Sequence, residues 1–162
     1  MTLYYCGIDP GANGAVALIP GVGVVGDPIA FSGDAYIQAK TLADWRSSIV
    51  FAAIERPFLM PGQAVSSTSA QWYNYGYVRG SLSAFSIPHT DVLARHWQKQ
   101  ILPGKPIPTP AKGSKKISAE NRRKLKAYVI SSMRCHFPEF PIKNDGVADA
   151  LALALYARSL GG

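Results

Sequence analysis

Cysteine and histidine are both scarce in this chain of 162 residues, which has 2 of the first and 3 of the second. The scarcity excludes a disulfide framework and leaves no thiolate or imidazole cage for a zinc ion. We expect Cys6 and Cys135 to be buried thiols of a reducing compartment. A chain of this length buries roughly 70% of the surface that its unfolded form exposes, so one apolar core is sufficient for a single domain.

Long apolar runs are also missing. The longest, residues 147–157, is interrupted by Asp149 and is much shorter than the roughly 20 apolar residues that a membrane-spanning helix needs. The first five residues contain no basic segment, and the apolar run after them ends at Asp9, which is unlike a secretory leader. We therefore expect a soluble cytoplasmic protein.

Acidic residues are few, and the basic residues that outnumber them are concentrated in one segment. The chain has 17 Lys and Arg against 10 Asp and Glu, a net charge of +7. Ten of the basic residues lie between Arg95 and Lys126, a basic segment in which Glu120 is the sole acid. Clustered cations can neutralise the phosphates of a nucleic acid, which releases counterions and adds affinity. Nucleic acid is therefore the expected partner. A solvated loop that only improves solubility is the alternative.

Apolar runs separated by turn residues predict the elements of the fold. Strands are predicted at residues 3–8, 14–19, 22–31, 49–54 and 86–90. Helices are predicted at residues 32–45, 66–84, 91–101, 117–137 and 146–160. Four prolines and two glycines between residues 103 and 114 indicate a loop, basic and extending to about residue 116. Strands and helices alternate after an opening meander, so the fold class is α/β with a mixed sheet.

Two carboxylates stand where apolar strands end. Asp9 closes the first strand, before Pro10 and Gly11, and Glu55 closes the strand at residues 49–54. Each has an ordinary alternative, because Asp before Pro-Gly is common turn chemistry and Glu55 could be a rim residue. If the two strands are parallel neighbours, their carboxyl ends coincide, which is where open α/β sheets place their sites.

A third carboxylate, Asp149, lies inside a final helix that is apolar on nearly every face. An unpaired carboxylate in a buried helix is costly, so Asp149 needs a partner, and a metal ion suits it. Asp145 precedes it by one helical turn and can project from the same face. N-cap of that helix is an alternative role for Asp145 of almost equal weight.

A cluster of these four carboxylates needs cations to stay ionised. Hard divalent ions with oxygen ligands meet that need, so Mg²⁺ is the expected cofactor and Mn²⁺ its expected substitute. Two such ions about 4 Å apart can ready a water, hold a scissile phosphate and stabilise the departing oxygen. An acidic metal site on a basic protein is the arrangement expected of a nuclease.

Three segments stand in a characteristic order along the chain. They are Gly7-Ile8-Asp9-Pro10-Gly11, Ala53-Ile54-Glu55-Arg56-Pro57 and Ala148-Asp149-Ala150-Leu151-Ala152-Leu153-Ala154. In order and spacing they resemble the three motifs of the RuvC-type Holliday junction resolvases. Ser69-Ala70 followed by Gly76, Arg79 and Gly80 resembles the family's helix after the second motif.

The resemblance implies a ribonuclease H-like fold, with a mixed five-stranded sheet flanked by helices, in one nuclease domain spanning residues 1–162. It also implies a homodimer and a Mg²⁺-dependent endodeoxyribonuclease with two ions per site, which makes paired symmetric nicks across a four-way DNA junction. Small members with a Pro-rich basic insertion look especially like phage or prophage versions. The expected location is thus the cytoplasm of a bacterial cell or a phage-infected host.

Carried over position by position, the resemblance makes Asp9, Glu55 and Asp149 catalytic metal ligands. Phe58 falls where the family can place an aromatic that wedges into the junction, and a Phe packed in the core is its alternative. Lys99 and Lys116 fall near positions that hold backbone phosphates. The basic segment supplies the other DNA-binding candidates, namely Lys112, Lys115, Arg122 and Arg123.

One position departs from the family pattern. Members often carry an acid or histidine three residues before the final Asp, where this chain has Gly146, and the acid is Asp145. We expect Asp145 to be the fourth ligand, directly or through water, unless it only caps the helix.

Two alternatives to a resolvase stay open on sequence alone. One is a nuclease of the same fold that prefers forks or flaps, and the other is a noncatalytic junction-binding protein. Tyr73 and Tyr77, four residues apart, are expected to pack against the core or a dimer partner rather than to stack on bases.

Overall fold

The computed structural model describes residues 2–23, 26–58, 65–102, 104 and 119–161. Its strands are β1 (Tyr4–Asp9), β2 (Ala15–Pro20), β3 (Ile29–Ser32), β4 (Ile49–Glu55) and β5 (His89–Val92). Its helices are α1 (Ala35–Trp45), α2 (Val65–Ala84), α3 (Ala94–Ile101), α4 (Ala119–His136) and α5 (Asp145–Gly161). The loop predicted over residues 103–116 lies outside the described residues except at position 104.

The five described strands form one sheet in the order β3-β2-β1-β4-β5. The opening meander β1-β2-β3 is antiparallel, whereas β1 pairs in parallel with β4, and β4 in parallel with β5. The predicted mixed five-stranded sheet flanked by helices is therefore confirmed.

Alternation along the strands sends side chains into two cores, one on each face of the sheet. On β1, Cys6 and Ile8 belong to a buried cluster that includes residues of α1 and α2. Tyr5 belongs to the opposite cluster, which contains residues of α3, α4 and α5. Helix α5 is buried along most of its length, as its nearly uniform apolar sequence predicts.

Gly7, at the centre of β1, lets α5 approach the sheet with no side chain between them. A Cβ built at this position would collide with the carbonyl oxygen of Ala150 and the amide nitrogen of Ala154. Because both obstructing atoms belong to helix backbone, a larger side chain could be accommodated only by moving the helix. Gly7 therefore determines how α5 lies on β1.

The structure moves two predicted boundaries near β5. The strand was predicted at residues 86–90, but it spans His89–Val92, and α3 begins at Ala94 instead of residue 91. Pairing with β4 continues to Val92, opposite Glu55, so Asp91 is held in the strand although its sequence context favours a helix start. Ser86 lies instead in the turn that follows α2, where its φ is positive at 56°.

Other expectations have mixed outcomes. Cys6 is completely buried, whereas Cys135 is exposed on α4, contrary to prediction. The strand predicted at residues 22–31 is shorter, because β3 pairs with β2 only from Ile29 to Ser32. Asp34 caps α1 by accepting a hydrogen bond of 3.0 Å from the Ile37 amide. No helix in the described part of the chain is long and apolar enough to cross a membrane.

Substituting Gly7 tests the contact between β1 and α5. We expect Gly7→Ala to lower the free energy of unfolding by more than about 3 kcal/mol, because the added methyl group meets backbone on both sides. Gly26→Ala is the matched control, since a Cβ at this position meets only the Pro20 side chain at an ordinary contact distance, and it should change the free energy of unfolding by less than about 1 kcal/mol. Urea unfolding of both variants measures the difference. Equal effects would show that α5 can move away from β1 at little cost.

Candidate active site

The parallel pairing of β1 with β4 brings two predicted site residues to the same edge of the sheet. Ile8 is paired with Ile54, and the next residue on each strand is an acid, Asp9 and Glu55 respectively. Both carboxylates are partly buried, and they are close enough for the charge of Asp9 to raise the pKa of Glu55. The two strands are therefore parallel neighbours, and their carboxyl ends coincide.

The first two turns of α5 add Asp145 and Asp149 to the same edge. A Cβ at Gly146 would collide with the carbonyl oxygen of Asn13, in the turn that follows β1. The helix therefore starts directly against the segment that follows Asp9. The close contact also explains why this chain cannot carry an acid at position 146, three residues before Asp149.

Asn144 is the N-cap of α5, so the alternative prediction that Asp145 is the N-cap is wrong. The Asn144 side chain accepts a hydrogen bond of 2.9 Å from the amide of Val147. Asp145 is instead the first residue of the helix, and its carboxylate pairs with Lys126 from α4. Its position in the first turn also suits a negative charge, because the helix dipole is positive there.

Three of the four carboxylates lie in surroundings that disfavour their ionised form. Burial raises the pKa of Asp9, and nearby Asp145 raises it further. Burial, followed by the charge of Asp9, raises the pKa of Glu55 to about 7. The pKa of Asp149 is also well above its usual range, because of burial and then the charges of Glu55 and Asp9. The cluster thus repels its own ionised form.

Asp145 is the exception, because Lys126 neutralises it. The hydrogen bond from Lys126 lowers the pKa of Asp145, and the same contact raises the pKa of Lys126. The Lys126 ammonium also interacts with the charges of Asp149 and Asp9. Lys126 therefore acts on three of the four acids, which leaves an excess of negative charge at this edge among the residues that the structure describes.

Neutral donors fix the other groups at this edge. The amide of Gly11 donates to Asp9 Oδ1 over 3.0 Å, and the indole Nε1 of Trp97 donates to Glu55 Oε2 over 2.7 Å. The fully buried Gln38 of α1 donates its Nε2 to the carbonyl oxygens of Asp9 and Gly33, at 3.1 and 2.9 Å. These bonds hold the end of β1 and the Glu55 side chain in place.

The donor chemistry of the cluster fits a hard divalent ion. All four side chains offer carboxylate oxygens, and the repulsion among them is the condition that Mg²⁺ relieves. Within residues 2–161 as far as they are described, however, no three His, Cys, Asp or Glu side chains already surround one ion position. The acids thus share an edge without being gathered around a single point.

The residues predicted to bind DNA have different outcomes. Phe58 follows β4 and is 63% exposed, so the alternative of a core position is wrong. Lys99 on α3 and Arg122 and Arg123 on α4 are exposed. Three more candidates lie outside the described residues, namely Lys112, Lys115 and Lys116.

On α2, the prediction that Tyr73 and Tyr77 pack against the core is wrong. Tyr73 and Tyr77 are 70% and 42% exposed and stack on each other with ring centroids 6.3 Å apart. They do not pack in the core of this chain, so contact with a dimer partner remains a prediction, with stacking on bases as its alternative.

Sequence reasoning did not identify Trp97, Gln38 or Lys126 as parts of the site. Lys126 was visible only as one of the ten cations of the basic segment. Trp97 and Gln38 carry no motif, and each meets its acid through a contact between residues far apart in sequence.

Replacing Glu55 by Gln tests whether the cluster destabilises the metal-free fold. Because the pKa of Glu55 rises from 4.5 to about 7 on folding, its ionisation costs stability increasingly as the pH rises between those values. In EDTA we expect Glu55→Gln to raise the melting temperature by about 5 °C at pH 8 and by much less at pH 5. Glu139→Gln, at an exposed position, is the control. Calorimetric scans in which Glu55→Gln melts at or below the wild-type temperature at pH 8 would contradict this electrostatic account.

Comparison with solved structures identifies the fold. The RuvC protein of Thermus thermophilus in complex with a Holliday junction substrate matches with a TM-score of 0.57 at 14% sequence identity, over 94% of this chain and 90% of that one. A further Thermus thermophilus RuvC structure matches with a TM-score of 0.54 at 17% identity, over 99% and 98% of the respective chains. No protein-family model and no curated protein matches the sequence. The chain has the RuvC fold, a ribonuclease H-like arrangement of a mixed five-stranded sheet flanked by helices.

Proposed function

We propose that this protein is a metal-dependent endonuclease that resolves four-way DNA junctions by paired, symmetric phosphodiester hydrolysis. The main observation that supports this proposal is the set of four carboxylates at one edge of a RuvC fold, where β1, β4 and α5 meet. A single nuclease domain over residues 1–162 is part of the proposal. So is a location in the cytoplasm of a bacterial or phage-infected cell.

Asp9, Glu55, Asp145 and Asp149 are the proposed catalytic residues and the ligands of two Mg²⁺ ions, for which Mn²⁺ substitutes. When bound, such ions act as Lewis acids and lower the pKa of water. The Gly11 amide fixes the Asp9 carboxylate, and Trp97 fixes that of Glu55. Lys126 keeps Asp145 ionised and supplies positive charge at the edge before an ion arrives.

DNA binding is assigned to the basic segment and to Phe58. Exposed Lys99, Arg122 and Arg123 provide cations for backbone phosphates, together with Lys112, Lys115 and Lys116 of the same segment. Contacts of this kind position DNA without recognising its sequence. The match to a RuvC protein bound to a Holliday junction substrate supports branched DNA as the ligand. The exposed ring of Phe58, close along the chain to Glu55, is available to unstack bases at the branch.

Symmetric nicks require two active sites, and the exposed face of α2 is the proposed homodimer contact. It presents the stacked rings of Tyr73 and Tyr77, with exposed Tyr36 beside them across a shallow pocket. Gly76 and Gly80, one turn apart on α2, add no side chain that would hinder a second helix. A two-fold axis through such a surface makes it self-complementary.

Cleavage of a labelled four-way junction tests the proposed activity. With Mg²⁺ we expect wild type to make symmetric nicks, and Asp9→Asn to bind the junction but to cut it at least 100-fold more slowly, because it removes a central ligand. Asp27→Asn, at an exposed aspartate, should cut normally, and EDTA should stop wild type.

Linear duplex and fork substrates in the same assay discriminate among the alternatives. Equal or faster cleavage of forks would replace the resolvase by a structure-selective branched-DNA nuclease. Binding without any cleavage, at several concentrations of Mg²⁺ and Mn²⁺, would leave a noncatalytic junction-binding protein.

A charge placed on α2 tests the homodimer. We expect Tyr77→Glu to convert the dimer to monomer in sedimentation equilibrium, because the charged side chain would be buried against its symmetry mate. Leu160→Glu, at an apolar position of α5 that is 50% exposed, should leave the dimer intact. A wild-type protein that sediments as a monomer at all concentrations, with or without junction DNA, would contradict the proposal.

A further inference from the structure

Trp97 makes an unusual contact for a core residue. Its side chain is completely buried in the cluster that contains residues of α4 and α5, yet its indole N–H points at a carboxylate. The distance from Nε1 to Glu55 Oε2 is 2.7 Å. An indole has one donor and no acceptor, so this bond uses the whole hydrogen-bonding capacity of the ring.

Burial makes the contact obligatory for Trp97. An indole N–H without a partner in the protein interior has an unfavourable free energy, and no water reaches this completely buried ring to replace Glu55. The ring itself cannot turn away, because core packing holds it in place. Trp97 is thus a rigid donor, and the flexible member of the pair is the Glu55 side chain.

Glu55 has an electrostatic reason to leave this position. The charges of Asp9 and Asp149 repel it, and Arg56, the residue after β4, acts on Tyr75 of the opposite core cluster. Without a donor, the carboxylate would rotate away from the other acids. The hydrogen bond from Trp97 opposes that rotation, and it does so without adding a positive charge that would compete with a metal ion.

We propose that Trp97 is a positioning residue, whose indole N–H holds Oε2 of Glu55 and leaves Oε1 as the oxygen that binds a divalent ion. The inference rests on the proposed function, because it assumes that Glu55 is a metal ligand. It adds a supporting contact from α3, an element that carries none of the four acids. Donors that orient metal ligands typically contribute 10- to 100-fold to metal affinity.

Metal binding measured directly is the first test. Mn²⁺ titrations by calorimetry on wild type, Trp97→Phe and Trp45→Phe compare the loss of this N–H with the loss of another indole, which packs edge-on against Tyr4. We expect Trp97→Phe to bind Mn²⁺ about 10- to 100-fold more weakly and Trp45→Phe to bind normally. Binding of junction DNA in EDTA should be the same for all three proteins.

Because Trp97→Phe also leaves a small cavity, a second variant separates the hydrogen bond from packing. Benzothienylalanine incorporated at position 97 replaces the indole N–H by sulfur in a ring of nearly the same shape. The same weakening of Mn²⁺ binding in this variant supports the inference, whereas wild-type affinity overturns it, whatever Trp97→Phe does.

Cleavage assays then distinguish a failure of this inference from a failure of the proposed function. If wild type cuts junctions, the benzothienylalanine variant should need about 10-fold more Mg²⁺ for half-maximal rate and recover at high Mg²⁺. Normal cleavage at wild-type Mg²⁺ concentrations would overturn the role of Trp97 and leave the nuclease standing. If wild type cuts no substrate but its Mn²⁺ affinity still depends on the N–H, the proposed function fails and the role of Trp97 stands.

Discussion

Direct contact between the backbones of β1 and α5 is the constraint on which the site depends. Gly7 allows the helix to lie against the strand, and a run of alanines and leucines keeps the helix buried along the contact. Gly146 makes a second close approach where the helix begins, against Asn13. Two side-chain-free contacts at separate points determine both the direction and the position of α5 along its axis. Asp149 therefore comes near Asp9 as a result of packing, before any ion attracts it.

Packing of this kind has an electrostatic cost that the chain offsets only in part. Lys126 neutralises Asp145, while Asp9, Glu55 and Asp149 each have a raised pKa because burial is added to mutual repulsion. Replacing the three by neutral residues would relieve the repulsion, so the apo fold is strained in the place where the proposed chemistry occurs. Binding of a divalent ion would relieve this repulsion and so stabilise the folded state.

Sequence reasoning succeeded where local pattern determines structure. The sequence was enough to place Asp9 and Glu55 at the ends of two strands, although only the structure shows that these strands are parallel neighbours, and the apolar final helix identified Asp149 as a carboxylate in need of a partner. It failed where contacts between distant residues decide. Asp91 belongs to β5 because β4 extends beside it. Trp97 meets Glu55 across 42 residues of sequence, and nothing in the local sequence of either residue indicates that contact.

The displaced acid at position 145 links the metal site to the basic segment. A side chain at position 146 would strike Asn13, so the fourth acid occupies the preceding position, where it meets Lys126 of α4. Lys126 is also the last cation of the basic segment, which carries Arg122 and Arg123 one turn earlier on the same helix. Core packing of Val129 and Met133 holds α4 against α5, and the ion pair brings its Lys126 to the acidic edge. If DNA binds along that helix as proposed, its phosphates would lie beside the carboxylates, and the cations of α4 would offset the negative charge of the acidic site.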